Sequence, residues 1–355
     1  MSSILPRIGV RLPIVQAPMA GTSTPALAAA VTNAGALGSI SVGAVEAAKA
    51  GEMVGALKAL TDGPFNVNVF THAPAKADPG RERAWTEALR PIFAAYDAEP
   101  PTTLREIYTS FNVDAAMLET LLAARPAVVS FHFGLPPAPI IHQLKAAGIV
   151  LLASATNLDE GRAVERAGVD AVVAQGWEAG GHRGVFDPAA PDAQLGAFAL
   201  TRLLVRKLSI PVIAAGGIMN GAGIAAALDL GAQAAQLGTA FIASPESSAD
   251  AYHRAALLGP GAAATEMTRL ISGRLARSLP NRFTALKDAL KGVAPPEYPI
   301  AYDAGKALAA AARAKGEGGF GAQWAGQGAP LARALPAAEL IATLAAELAA
   351  ARRAR

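Results

Sequence analysis

The chain has 355 residues, of which 52% are hydrophobic and 17% are charged, so it can build a large buried core. Its net charge of +3, without a basic run interleaved with aromatic residues, does not indicate a nucleic-acid partner, and the absence of cysteine excludes disulfides, iron–sulfur clusters and thiolate metal sites. The first seven residues lack the pattern of a signal peptide and no apolar run is long enough to span a bilayer, so we expect a cytoplasmic protein without a membrane partner.

Short apolar segments alternate with helical patterns along most of the chain. After the first of them, Thr24 is the expected N-cap of a helix that has Pro25 at its first position. Eight segments are predicted to be strands: residues 13–19, 36–40, 64–70, 127–134, 149–153, 170–174, 211–215 and 234–237. This alternation is typical of a parallel sheet, and eight units favour a (β/α)8 TIM barrel over a doubly wound open sheet, the alternative.

The predicted barrel covers residues 1–243, with a proline-rich excursion over its mouth at about 71–125. We expect residues 244–335 to form a smaller helical and loop part that covers the active site, and 336–355 to be a C-terminal helix that packs back on the barrel. The four arginines between 268 and 283 are interpreted as a solvated or interdomain ion-pair surface; alternatively, they serve a nucleotide phosphate.

A glycine-rich loop follows the sixth predicted strand and is the strongest functional signal in the sequence. Between Gln175 and Gly184 it contains four glycines together with Glu178, His182 and Arg183. Barrel enzymes build their sites from loops at the carboxyl ends of the strands, and histidine is the usual group for proton transfer near neutral pH. We predict that His182 is catalytic; a structural histidine in a surface turn is the alternative.

Two further glycine signals follow the seventh and eighth predicted strands. They are Gly216-Gly217 and the run Gln236-Leu237-Gly238-Thr239. The loops after these two strands commonly bind phosphate in TIM barrels, through free backbone N–H groups. The alternative is that both are ordinary strand-to-helix turns, which have similar sequences. Neither signal is a P-loop or a dinucleotide fingerprint, so a single phosphate of a mononucleotide such as FMN fits best.

Other polar residues at strand ends are candidates to meet such a cofactor. Asn68, Gln175, Gly180 and Gly181 lie where a flavin ring would be, and Asn66 competes with Asn68 for the same role. His132 is expected to line the substrate pocket or to be structural. Three histidines have no supporting pattern and are expected to be structural or on the surface: His72, His142 and His253. No spacing of metal ligands and no serine hydrolase elbow is present.

Taken together, these segments resemble a known family. Residues 13–21, 64–70, 128–135, 175–184 and 211–239 look like those of nitronate monooxygenases, formerly called 2-nitropropane dioxygenases. Residues 272–283 and 324–328 look like those of the bacterial class I members. The glycine-rich loop is less specific, because flavin-dependent enoyl-acyl-carrier-protein reductases contain a very similar one.

The resemblance implies an FMN-bound barrel that oxidises alkyl nitronates with dioxygen to a carbonyl compound and nitrite. It implies that His182 is the active-site histidine and that His132 lies near the substrate. It also implies contacts with FMN for a set of residues from five strand ends: Pro18, Met19, Asn68, Gln175, Gly180, Gly181, Gly216, Gly217, Gln236, Leu237, Gly238 and Thr239. The competing hypotheses are an NAD(P)H-dependent FMN reductase on the same barrel, acting on enoyl thioesters or quinones, and a non-catalytic flavin- or phosphate-binding protein.

Overall fold

The computed structural model describes residues 4–353. Residues 1–3, at which the search for a signal-peptide pattern begins, and residues 354–355, the end of the predicted C-terminal helix, lie outside the described residues. The strands are, in chain order, β1 (Ile14–Gln16), β2 (Gly38–Ser41), β3 (Phe65–Phe70), β4 (Val128–His132), β5 (Val150–Ala155), β6 (Ala171–Gln175), β7 (Gly181–His182), β8 (Val212–Ala215), β9 (Ala234–Leu237), β10 (Glu266–Thr268) and β11 (Ala276–Ser278).

Helices separate most of these strands. The α-helices are α1 (Ile4–Arg7), α2 (Pro25–Asn33), α3 (Ala47–Lys58), α4 (Pro79–Ala94), α5 (Ala115–Ala124), α6 (Ala138–Ala146), α7 (Leu158–Arg166), α8 (Ala197–Lys207), α9 (Gly221–Asp229), α10 (Ala251–Leu258), α11 (Ile300–Ala314) and α12 (Ala337–Arg353). As the sequence predicts, the Thr24 side chain caps α2 by accepting from Leu27 N at 3.0 Å. Within residues 4–353, no helix has both the length and the apolar character needed to cross a membrane.

Eight parallel strands form one closed sheet. Their order is β1–β2–β3–β4–β5–β6–β8–β9, and β9 pairs with β1. The join between β1 and β2 is short: Val15 bridges Leu37, and Gln16 N donates to Leu37 O at 2.9 Å. The predicted (β/α)8 barrel is therefore confirmed, and the doubly wound alternative, which leaves two open sheet edges, is wrong.

The amino-terminal end of the barrel is closed by apolar packing. Ile4 and Leu5 of α1 join the buried cluster of strand residues that includes Val128, Val150 and Ala171, each near the start of its strand. This packing leaves the opposite end, where the strands finish, as the place for a site.

Two strands end earlier than the sequence predicts. β1 stops at Gln16 instead of continuing to Met19, because Pro18 has no N–H to extend the ladder. β4 stops at His132, because Phe133 and Gly134 have φ angles of 78° and 139°, which turn the chain out of the sheet.

The segment at 71–125 contains two helices with different neighbours. Trp85 and Leu89 of α4 belong to one buried cluster with Leu308 of α11, outside the barrel wall. Residues of α5, in contrast, pack in the main core against α3, and α5 is thus part of the outer helical layer.

The region after β9 contributes two strands, β10 and β11, to a second sheet that β7 of the glycine-rich loop completes. β10, β11 and β7 form a small antiparallel sheet, in which Ala276 pairs with His182 and Arg277 with Gly181. These three strands are not predictable from the sequence, because each is only two or three residues long. The C-terminal helix α12 packs against α2 and α9, with Leu340 and Leu344 buried between them.

Candidate active site

A cavity of about 590 Å³ opens at the carboxyl ends of the barrel strands, within the size range of small-molecule sites. Its wall contains His132, His182 and nearly all of the predicted flavin contacts: Pro18, Met19, Asn68, Gln175, Gly180, Gly181, Gly216, Gly217, Gln236, Gly238 and Thr239. Leu237 is the exception. Its side chain is 1% exposed and packs in the core with Ile14 and Phe241, so it does not face the cavity.

One end of the cavity, called here the glycine end, is formed by the loops after β8 and β9. Gly216 and Gly217 have φ angles of 116° and 71°, which favour glycine. A Cβ on Gly217 would also lie 3.3 Å from Cβ of Glu178. Thr239 Oγ1 accepts a hydrogen bond from Gly326 N at 2.9 Å, which leaves the hydroxyl proton of Thr239 available to a ligand.

The structure separates the roles of Asn66 and Asn68, which the sequence left open. Asn68 lines the cavity, and its amide is held by Ser41 Oγ, which donates to Oδ1 at 3.1 Å, and by Ser130 Oγ, which lies 3.0 Å from Nδ2. Asn66 points elsewhere and donates to Ser39 Oγ at 3.2 Å. Only Asn68 is therefore placed to contact a bound molecule.

Gln175 and Gly180 shape the glycine-rich loop itself. Gln175 Nε2 donates to His182 O at 3.0 Å, and Gln175 Oε1 accepts from Gly184 N at 2.7 Å, so this side chain holds both sides of the loop. A Cβ on Gly180 would lie 2.5 Å from the carbonyl carbon of Ala325. The glycine is needed there because another segment of the chain crosses closely, a reason that the sequence did not reveal.

The position of His182 is fixed by its bond to Ser272. His182 Nε2 lies 2.8 Å from Ser272 Oγ, and that hydroxyl lies 3.1 Å from Arg274 O, to which it donates. With the serine proton committed to the carbonyl, Oγ accepts from His182 Nε2–H. We therefore assign the proton of the neutral imidazole to Nε2, which leaves Nδ1 with a free lone pair that can accept a proton.

The surroundings of His182 keep it neutral. Burial, followed by the positive charge of Arg274, lowers the pKa of His182 to about 3. Its ring is enclosed by aromatic rings, with centroid distances of 5.7 Å to Phe133, 5.3 Å to Tyr298 and 5.2 Å to Trp324. Near neutral pH the side chain is thus an uncharged base in an apolar setting.

His132 lines the cavity but uses both ring nitrogens within the protein. Nε2 lies 3.2 Å from His182 O, to which it donates, and Nδ1 lies 2.9 Å from Ser154 Oγ. Burial, with a smaller effect of Arg274, lowers its pKa to about 4. The geometry supports both expectations for His132, since it is next to the cavity and also positions the main chain of His182.

The opposite end of the cavity, called here the aromatic end, consists of residues that the sequence analysis did not select: Phe70, Tyr108, Phe133, Tyr298, Tyr302 and Lys306. The Tyr298 hydroxyl has no hydrogen-bond partner within residues 4–353. Burial raises the pKa of Tyr298 and raises that of Tyr302 to about 12, so both remain protonated. Lys306 Nζ lies 4.7 Å from the Tyr108 ring centroid.

The structure corrects the interpretation of the arginines and decides between the two expectations for His72. The arginines at 268–283 do not form one solvated ion-pair surface: Arg274 and Arg277 are buried, while Arg269 and Arg282 are exposed. Of the two expectations for His72, the structure supports the structural one, because the side chain is buried against the rings of Tyr298 and Phe133. Burial lowers its pKa to about 4.

The charges around the cavity have one sign. Lys306 lines it, Arg274 lies directly behind Phe133, and no carboxylate belongs to its wall in the described part of the chain. Residues 4–353 also contain no group of three or more His, Asp or Glu side chains that could hold a metal ion. The arrangement favours an anionic organic ligand and supplies one neutral base.

Comparisons with known proteins agree with this chemistry. Residues 2–347 match the nitronate monooxygenase family. The chain is 63% identical to a nitronate monooxygenase of Paraburkholderia phytofirmans, over 98% of this chain and 94% of that protein. It is also similar to the structure of a nitroalkane oxidase from Streptomyces ansochromogenes, with a TM-score of 0.90, 44% identity and 98% coverage of both chains.

A less similar structure is that of FabK from Thermotoga maritima, with a TM-score of 0.76 and 28% identity over 100% of this chain and 98% of that chain. The family match, the high identity over nearly the whole chain and the cavity are all consistent with the resemblance seen in the sequence. The chain therefore belongs to the nitronate monooxygenase family of flavin-dependent oxidoreductases, which oxidise nitronates.

Proposed function

We propose that this protein binds FMN in the cavity and uses dioxygen to oxidise alkyl nitronates to a carbonyl compound and nitrite. The observation that carries the proposal is the shape of one cavity. Its glycine end suits a phosphate, its aromatic end suits a small organic anion, and His182 lies at the aromatic end.

The residues at the glycine end fit the phosphate of a mononucleotide. Backbone turns at positive φ, such as those at Gly216 and Gly217, present N–H groups to an anion, and Thr239 adds a hydroxyl whose proton is free. Pro18, Met19, Asn68 and Gln175 then lie along the wall where a flat ring would extend. When bound, the flavin supplies the oxidising group that takes electrons from the nitronate and passes them to dioxygen.

The residues at the aromatic end would bind and orient the substrate. The free hydroxyl of Tyr298 donates to a nitronate oxygen, and Lys306 contributes positive charge. A nitronate has already lost its α-proton, so it needs no base. A neutral nitroalkane must first lose that proton, and His182 Nδ1 is placed to accept it while Ser272 holds Nε2.

The reductase alternative is less well supported by the structure. It assigned a nucleotide phosphate to the arginines at 268–283, but Arg274 and Arg277 are buried and donate to the backbone carbonyls of Val185 and Trp177. A purely ligand-binding role is disfavoured by a neutral base on the cavity wall, because binding alone does not need one.

Purification and turnover test the proposal together. We expect a yellow protein that releases FMN on denaturation, and oxygen consumption with nitrite formation on addition of propyl 2-nitronate. Release of FAD, or no flavin binding at all, would contradict the assigned cofactor. Rapid anaerobic reduction of the flavin by NADPH, with none by the nitronate, would favour the reductase.

A further inference from the structure

Arg274 is a buried cation without a carboxylate partner. The residue is 4% exposed, and none of the ion pairs within residues 4–353 includes it. Nη2 donates to Val185 O, while Nε has no hydrogen-bond partner in that part of the chain. A buried charge that is left unpaired is costly to the folded state, so its presence calls for a compensating interaction.

Arg274 also contacts an aromatic residue of the cavity wall. Its Cζ lies 4.1 Å from the ring centroid of Phe133, and Phe133 forms part of the cavity wall. Phe133 has a φ of 78°, in the left-handed region that non-glycine residues rarely adopt. Phe133 therefore contacts the guanidinium and also lines the space where the substrate is proposed to bind, whereas Arg274 itself does not line it.

Nearby carboxylates do not neutralise this charge by direct contact. Glu160 and Asp187 attract Arg274 only through space. The carboxylate of Glu160 instead accepts hydrogen bonds from Thr156 N and Oγ1 and from Phe186 N. The field of Arg274 thus extends into a cavity with an apolar, carboxylate-free wall, where charges interact more strongly than in water.

Neighbouring groups already respond to this field. The charge of Arg274 contributes to the lowered pKa of His72, His132 and His182, all of which lie around Phe133. An ammonium at the same place would be a poorer fixed charge, because a buried lysine loses its proton more easily than an arginine does.

We propose that Arg274 acts through the ring of Phe133 as a fixed counter-charge that makes the cavity prefer the nitronate anion over its neutral nitroalkane. It is a specificity-determining residue, not a catalytic one, because a ring separates it from the reacting atoms. The inference rests on the proposed binding of the substrate in this cavity.

The test compares two unreactive probes that share a planar arrangement of oxygens on nitrogen but differ in charge, on the flavin-loaded protein. Nitrate is a planar anion, and 2-methyl-2-nitropropane is a neutral nitro compound that has no α-proton. Titration followed by the visible absorbance of the flavin gives both dissociation constants. In Arg274→Met we expect the value for nitrate to rise by about ten- to a hundredfold, and that for the neutral probe by less than about threefold.

Arg277→Met is the matched control. Arg277 is 3% exposed and belongs to the same hairpin, but it lies 5.5 Å from the Trp177 ring centroid and donates to Trp177 O. Loss of this buried arginine should change the two dissociation constants by the same factor. An equal effect of Arg274→Met on both probes, or no effect on nitrate, would overturn the proposal.

A second variant keeps the test decisive if Arg274→Met does not fold. Arg274→Lys should bind nitrate normally at neutral pH and lose affinity towards pH 10 more steeply than the wild type, as the buried ammonium deprotonates. Parallel pH profiles would contradict the inference. Nitrate that fails to compete with propyl 2-nitronate in the wild type would instead contradict the proposed place of the substrate.

Discussion

The glycine end and the aromatic end of the cavity are built by different means. The glycine end consists of two consecutive strand-to-helix loops, and its shape depends on backbone angles at Gly216 and Gly217. The aromatic end gathers side chains from β3, from the turn after β4, from the segment between α4 and α5, and from α11 and the segment before it. Because the ends share few residues, cofactor affinity and turnover should respond to different substitutions.

His182→Asn should produce the largest effect and spare the glycine end. We expect turnover of a neutral nitroalkane to fall by a factor on the order of 10²–10⁴, because the variant has no base for the α-proton. The loss with a preformed nitronate should be smaller, and the bound FMN should be nearly unchanged. Steady-state kinetics with both substrates, together with the ratio of flavin to protein, measures this.

Equal losses on the two substrates would indicate that His182 positions the substrate and does not remove its proton. An unchanged rate on both would remove His182 from the reaction and direct attention to His132.

Gly217→Val should affect cofactor binding and spare turnover, which is the opposite of the effect expected for His182→Asn. A side chain at a φ of 71° is strained by about 1–3 kcal/mol and would crowd Glu178, so the dissociation constant of FMN should rise by about ten- to a hundredfold. Turnover per bound flavin should stay near that of the wild type. Flavin fluorescence titration of the apoprotein measures the affinity.

The matched control is Gly168→Val, at a φ of 75° with no heavy atom within 4 Å of a new Cβ. It should lower stability by a similar amount without weakening FMN binding. Equal weakening in both variants would show that strain alone, and not the place of Gly217, determines the effect.

Ser272→Ala should have a smaller effect on the aromatic end. Loss of the acceptor for His182 Nε2–H should lower turnover of the neutral nitroalkane by about tenfold. Both tautomers of the imidazole should then be populated, which nitrogen NMR can observe. Ser278→Ala is the control, because that buried hydroxyl donates to Leu279 O and Gln323 O. A single Nε2–H tautomer in Ser272→Ala would contradict the assignment.

The smallest expected effect is a difference between the wild type and His182→Asn in how the free energy of unfolding depends on pH. The lowered pKa of His182, about 3, means that the unfolded state binds a proton below about pH 6.5 that the folded state does not. The contribution of this group to the free energy of unfolding should therefore be complete above that pH. On acidification it should decline by up to about 1.4 kcal/mol per pH unit. Urea unfolding of His182→Asn between pH 7 and 4 should decline less steeply; identical slopes would disprove the pKa shift.

The two ends also differ in how far the sequence could predict them. Gly216, Gly217 and Thr239 can be selected from the sequence because each belongs to a short motif at a strand end, where TIM barrels commonly bind phosphate. Tyr298 and Tyr302 were missed because nothing local to α11 indicates that tertiary packing brings it to His182. Arg274 was identified as a charge, but its burial depends on the long-range pairing of β11 with β7, and both strands are too short to predict.

The eight-strand barrel was predictable for the same reason as the glycine end. Each βα unit has its own apolar run and helix pattern, and the parallel order follows from their alternation. Leu237, in contrast, was assigned to the flavin by its place in a motif, although alternation along β9 directs its side chain into the core.

A crystal structure of the FMN-loaded protein tests the division of the cavity most directly. The account predicts the phosphate within hydrogen-bond distance of the Gly216-Gly217 turn or of Thr239, and the flavin ring beside His182. A phosphate bound among Tyr298, Tyr302 and Lys306, with the ring at the glycine end, would contradict it.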